Sequence, residues 1–186
     1  MFFFDTLGSR IYHTRVMIDH LPDRLDVCAM AEAGCSLRGR IRLASLERVL
    51  PLVESSEGEF AVQLELGKDE DGTRYLSGSI RGMLILQCQR CLEPMEFPLH
   101  VKFLLGLVHD QEQAQCLTER YEPLLVTQEP VRIAEVVEDE ILLALPIAAL
   151  HGDRGKCQGL VAEYQTAAGA PRDNPFAILA QLKHKQ

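Results

Sequence analysis

Residues 59–107, EFAVQLELGKDEDGTRYLSGSIRGMLILQCQRCLEPMEFPLHVKFLLGL, decide the fold. Phe60, Val62, Leu64 and Leu66 alternate with Glu59, Ala61, Gln63 and Glu65. Alternate side chains of a strand point to opposite faces, so this is a half-buried β-strand. The polar KDEDGT at 68–73, with Asp71-Gly72 at its tip, reads as a hairpin turn. On the return strand Leu76, Ile80, Leu84 and Leu86 share one face with Gly78 and Gly82. Glycines on a buried face predict that another element approaches the backbone closely or that the strand bends there. After Cys88–Pro94 a third strand follows, in which Met95, Phe97, Leu99, Val101, Phe103 and Leu105 alternate with Glu96, Pro98, His100 and Lys102. The connections are short, which implies antiparallel pairing.

Upstream, Leu37, Ile41 and Leu43 alternate with Arg38, Arg40 and Arg42, the pattern of a short strand with a basic outer face. Ser45 is placed to cap a short helix whose apolar side is Leu46, Val49, Leu50 and Val53, limited by Pro51. Residues 17–36 read as irregular. Downstream, 108–130 is a long polar connection. VRIAEVVEDEILLALP then repeats Ile133, Val136, Val137 and Ile141 at helical spacing, predicting a helix over about 132–145 that Pro146 closes. The second half of that helix is apolar nearly all round and is expected to be deeply buried. Residues 151–173 are rich in Gly and Ala, and Asn174-Pro175 starts a short C-terminal helix docked by Phe176, Leu179 and Leu182. The fold class is therefore α+β: an antiparallel sheet of roughly four to six strands, partly barrel-like, packed by the buried helix and the C-terminal helix.

The chain has 186 residues, enough for one domain with a real core. Residues 1–16 read as a loosely ordered N-terminal extension and 17–186 as a single domain. A composition 47% apolar and 25% charged excludes wholesale disorder. No apolar run reaches the ~18 residues of a membrane span. MFFFDTLGSR has no basic residue ahead of its three Phe and is a poor secretory signal. A cytoplasmic location is expected, with the six Cys as reduced thiols. The net charge of −8 argues against binding nucleic acid by bulk positive charge. Nine acids and two bases, Arg120 and Arg132, lie between Asp110 and Glu140. That stretch suits solvent or a basic partner.

Cys88-Gln89-Arg90-Cys91 is the sharpest local feature. A C-x2-C pair between two strands lets both thiolates converge on one ion, as in a zinc knuckle. Zinc takes four ligands, and the nearest later donors are His151 and Cys157 in HGDRGKC. Cys88, Cys91, His151 and Cys157 are the candidate Cys3His set; the plainer reading is a strand turn without metal. A thioredoxin-like redox role fits poorly, because that motif needs a helix N-terminus to lower a thiol pKa. Cys28, Cys35 and Cys116 lack ligand spacing. Glu135, Glu138 and Asp139 share one helix face and are candidates for contacting a partner or, as a weaker reading, for binding the Mg²⁺ of a ribonuclease. No phosphate-binding glycine loop, G-x-S-x-G or HExxH occurs. No catalytic constellation emerges, and the protein is expected not to be an enzyme.

Three segments together carry a resemblance: LILQCQRCLEPMEF at 84–97, AEVVEDEILLALPIAALH at 134–151 and DNPFAILAQLK at 173–183. RYEPLLV at 120–126 and LRGRIRLASLERV at 37–49 extend it. In order and spacing they resemble the bacterial YceD family, the large ribosomal RNA subunit accumulation proteins, which have plastid relatives. The resemblance implies a non-catalytic role in the synthesis, processing or stability of 23S rRNA. Many such proteins carry a second C-x2-C after the buried helix, making a zinc-ribbon-like pair with the first; here that region holds a single Cys157. The expected partner is precursor 23S rRNA or a basic ribosomal or assembly protein. Any RNA contact must be local, with Arg38, Arg40 and Arg42 as its best candidates and Arg48, Arg81 and Arg90 expected near them. A zinc- or thiol-dependent adaptor for a metabolic protein is the alternative.

Overall fold

The computed structural model describes residues 14–127, 130–152 and 157. The expected C-terminal helix lies outside them. The chain divides into two compact units, one built from residues 1–86 and 96–147, the other from 87–95 and 148–186.

The first unit is α+β. Its elements in chain order are β1 (Thr14–His20), β2 (Arg24–Leu25), α1 (Val27–Ala33), β3 (Cys35–Arg42), β4 (Glu59–Lys68), β5 (Arg74–Gln87), β6 (Pro94–Val108), α2 (Gln111–Cys116), β7 (Glu122–Leu125), β8 (Val131–Arg132) and α3 (Ile133–Ala144). Six strands form one sheet in the order β1-β3-β4-β5-β6-β7, and β2 pairs with β8 separately. The middle of the sheet is antiparallel: Leu37 lies opposite Leu64, and Val62 opposite Ile80. The two outer strands are added in parallel, β1 on β3 and β7 on β6. The order runs open from β1 to β7 and does not close into a barrel.

Alternation sets the core. Phe60, Val62, Leu64 and Leu66 of β4 and Leu76, Ile80 and Leu84 of β5 are all buried on one side of the sheet. Gly78 and Gly82 do what their position predicts. A Cβ at Gly78 would lie 2.2 Å from the Phe103 ring, and one at Gly82 would lie 2.3 Å from the Phe60 ring. Each ring fills the space over bare backbone that a side chain would take. The hairpin tip is held by Asp69, whose carboxylate accepts from the backbone N–H groups of Asp71 and Thr73 and from the Tyr121 hydroxyl, and pairs with Arg120.

Four expectations change. Residues 17–36 are not irregular: they hold the end of β1, β2 and α1. The Asp26 side chain accepts from the Ala29 N–H at the start of α1, and Gly34 ends it at φ 64°. These are a standard N-cap and a left-handed C-cap. The expected helix after Ser45 is absent; Leu43–Ser45 and Leu50–Leu52 form single 3-10 turns, because Pro51 cannot supply a helical N–H. Leu46 and Val49 are nevertheless buried. Within 108–130, α2 and β7 form. The helix α3 forms where expected, yet its second half is not deeply buried: Leu143 is 75% exposed, while Glu138 and Glu140 are inside at 4% and 7%. No helix among the described residues is long and apolar enough to cross a membrane.

Candidate functional site

The second unit is organised around the turn between β5 and β6. Cys88 N–H donates to the Glu93 carbonyl at 2.9 Å, and Leu92 N–H donates to the Cys88 carbonyl at 2.8 Å. Leu92 has φ 60°, in the left-handed region, and its side chain is 55% exposed. The turn thus folds back tightly enough to aim Cys88 and Cys91 the same way. Gln89 N–H donates to the Ala149 carbonyl at 2.8 Å, which draws the segment carrying His151 alongside.

There the four expected donors converge. The ligand atoms of Cys88, Cys91, His151 and Cys157 all lie within 4.8 Å of one another. Cys88 Sγ is 3.9 Å from Cys157 Sγ. His151 Nδ1 is 3.4 Å from Cys91 Sγ and 3.5 Å from Cys157 Sγ. A tetrahedral zinc with ordinary bond lengths has S···S edges of about 3.8 Å and N···S edges of about 3.6 Å. The donor set and its spacing therefore fit zinc. The three cysteines are buried and form a small cluster with Met95 packed against it.

Electrostatics point the same way. Burial raises the Cys88 thiol, but hydrogen bonds from the Cys91, Arg90 and His151 backbones, and from the Cys91 side chain, outweigh it and bring it down to about 5. Cys157 is pushed up by burial and by its Cys91 and Cys88 neighbours. One thiolate forms readily and resists a second beside it. A bound dication is what would let all three ionise together. The Cys88 shift comes from backbone N–H groups in a β turn, without the helix N-terminus of a thioredoxin-like site. Cys28 and Cys35 are half-buried and Cys116 is exposed.

The basic candidates separate. Arg38, Arg40 and Arg42 lie exposed along β3, on the side of the sheet away from the core. Arg40 pairs with Glu59 at 3.2 Å. Arg90 instead belongs to the cysteine turn, with its guanidinium N–H 3.8 Å from Cys157 Sγ.

The acidic helix face is divided by the fold. Glu138 is buried and accepts from the Arg48 backbone N–H at 2.8 Å. Asp139 pairs with the Arg48 guanidinium, and Glu135 with Arg132 at 3.0 Å. The three carboxylates therefore hold the loop after β3 and the start of α3. Glu140, which the sequence reading passed over, is buried; burial first, then Glu122 and Asp139, raise its carboxyl to about 7. The signal was its spacing: Glu140 lies three and four residues from the apolar Val137 and Val136, on the flank of the stripe that the core covers.

Comparison with known proteins finds a family. The family model described as "Large ribosomal RNA subunit accumulation protein YceD" matches residues 76–183. A Haemophilus influenzae protein bearing the same description is 30% identical over 171 residues, covering 89% of this chain and 97% of that protein. No solved structure matches. The match runs through the cysteine turn, α3 and His151, and nearly the whole length of the relative is accounted for: this chain belongs to the YceD family.

Proposed function

We propose that the protein supports the accumulation of 23S rRNA as a non-catalytic factor in large-subunit assembly. It acts by docking onto precursor rRNA or a basic ribosomal or assembly protein. The observation that carries this reading is the end-to-end likeness to a protein described as a large ribosomal RNA subunit accumulation protein. The distribution of side chains supports a docking role. The carboxylates Glu135, Glu138 and Asp139 are engaged within the fold and do not gather into an open ligand set. A ribonuclease built on them has no support here. Deleting the gene is expected to lower 23S relative to 16S rRNA; an unchanged ratio across growth temperatures would remove the proposal.

The second part of the reading is that Cys88, Cys91, His151 and Cys157 hold one structural zinc. The ion would supply the charge that lets the thiols ionise and would join two chain segments far apart in sequence. Three thiolates and a dication leave one negative charge, which Arg90 is placed to offset. Protein purified without chelator should carry about one zinc per chain, and Cys88→Ser should lose it. Metal-free native protein would return the cluster to a plain thiol turn. The adaptor alternative also needs this zinc or thiol site, but predicts a normal 23S to 16S ratio in the deletion strain.

A further inference from the structure

Among the described residues nothing is packed over the side of the sheet away from the core, and its composition departs from the rest of the molecule. Register places its residues in rows. Arg38 lies opposite Gln63, which lies opposite Ser79; Arg40 lies opposite Ala61, which lies opposite Arg81. Lys102 of β6 joins them: a depression of about 420 Å³ is lined by Arg38, Gln63, Glu65, Ser77, Ser79 and Lys102, among others. Arg38, Arg40, Arg42, Arg81 and Lys102 are all exposed. The carboxylates on the same side are Glu59, Glu65 and Glu96, so this face is positive on a chain whose net charge is −8. Among the described residues, only Arg40 of the five cations is in an ion pair. An exposed pair of that kind is worth ~0–1 kcal/mol and yields readily to a competing anion.

We propose that this face binds the sugar–phosphate backbone of an RNA strand, without reading its sequence. The inference rests on the proposed role in rRNA accumulation and names the surface that would serve it. Three features select this partner. Same-side residues of a strand recur every ~6.6 Å, close to the spacing of consecutive phosphates, so Arg38, Arg40 and Arg42 present a matched row of charge. Ser36, Ser77, Ser79 and Gln63 set hydroxyl and amide donors between the cations, the groups that bind phosphate oxygens. The face carries one Tyr among the described residues, Tyr75, half-buried with its ring packed over Gly67, and Met83 is its one large exposed hydrophobe, 46% exposed. One ring packed on Gly67 is not a row of base-stacking platforms, and one Met is not the apolar anchor cluster of a protein interface.

The test is fluorescence anisotropy of the full chain with a labelled oligouridylate and a mixed-sequence strand of equal length, over a range of salt concentrations. Similar affinity for both strands is expected. Arg38→Ala, Arg42→Ala, Arg81→Ala and Lys102→Ala should each reduce the log–log salt slope by about 0.7 and the affinity at 0.1 M salt by about fivefold. Arg38→Lys should keep the slope. Arg132→Gln and Lys68→Ala remove the same charge elsewhere and should leave it unchanged. The proposal is overturned if the wild type binds neither strand, if the off-face variants lose as much as the face variants, or if the face captures an acidic protein and no RNA. Wild-type binding by all face variants, with 23S still falling in the deletion strain, would sink the face alone. Weakened binding by variants that fully restore 23S would sink the cellular role and leave the face an RNA binder.

Discussion

The two units are held together by different means. In the first, a sheet buries Phe60, Ile80, Leu84 and their neighbours, and order follows from apolar area removed from water. In the second, the described part is a turn and one short segment, with Cys88, Cys91 and Cys157 as its buried cluster. Three thiols and an imidazole are a poor apolar core and a good ligand set. The contrast teaches that a buried cluster need not be an apolar one, and that, with the proposed zinc, the two units would respond to different perturbations.

The largest expected effect breaks the first unit and spares the second. Phe103 lies over Gly78, so Phe103→Ala leaves bare backbone facing a cavity. The cost should be about 3–5 kcal/mol in denaturant unfolding followed through the sheet. Zinc content of the folded fraction should not change. Loss of metal in step with stability would show that the two regions are not separable.

A smaller effect sharpens the account of α3. Glu140 is raised from the ordinary 4.5 to about 7 by burial, then by Glu122 and Asp139. An acid with a raised folded value favours the fold when protonated. Its full contribution is present below about 4.5 and is lost as pH rises through about 7. Glu140→Gln should therefore stabilise the protein at pH 8 by on the order of 1–2 kcal/mol and flatten the stability profile between those two values. A variant less stable than wild type at pH 8 would mean that the charged carboxylate has a supporting role.

The same contrast governs how much was legible in the sequence. Period-2 alternation in 59–66 and 95–105 identified β4 and β6, because each strand's pattern is written in its own residues. Gly78 and Gly82 signalled ring contact for the same local reason. The parallel addition of β1 and β7 was not legible: it depends on which distant segment meets a sheet edge. The cap signals at Asp26 and Gly34 were present and could have located α1. Helical periodicity placed α3 correctly but put Leu143 inside and Glu138 on a partner-facing side, since a helix that is apolar nearly all round does not say which side is covered. That Cys88, Cys91, His151 and Cys157 meet was recoverable from spacing and ligand chemistry, although 60 residues separate Cys91 from His151. Arg81 was already a candidate beside the arginines of β3, and strand register places it there; Lys102 needed that register to be found.

Hydrogen exchange on the intact protein, before and after a zinc chelator, tests the division most directly. The account predicts that chelation strips protection from the Cys88, Gln89 and Leu92 amides while the β4–β5 ladder from Ala61 to Lys68 keeps its own. Equal loss in both regions, or no change at the cysteine turn of a protein that has given up its metal, would contradict it.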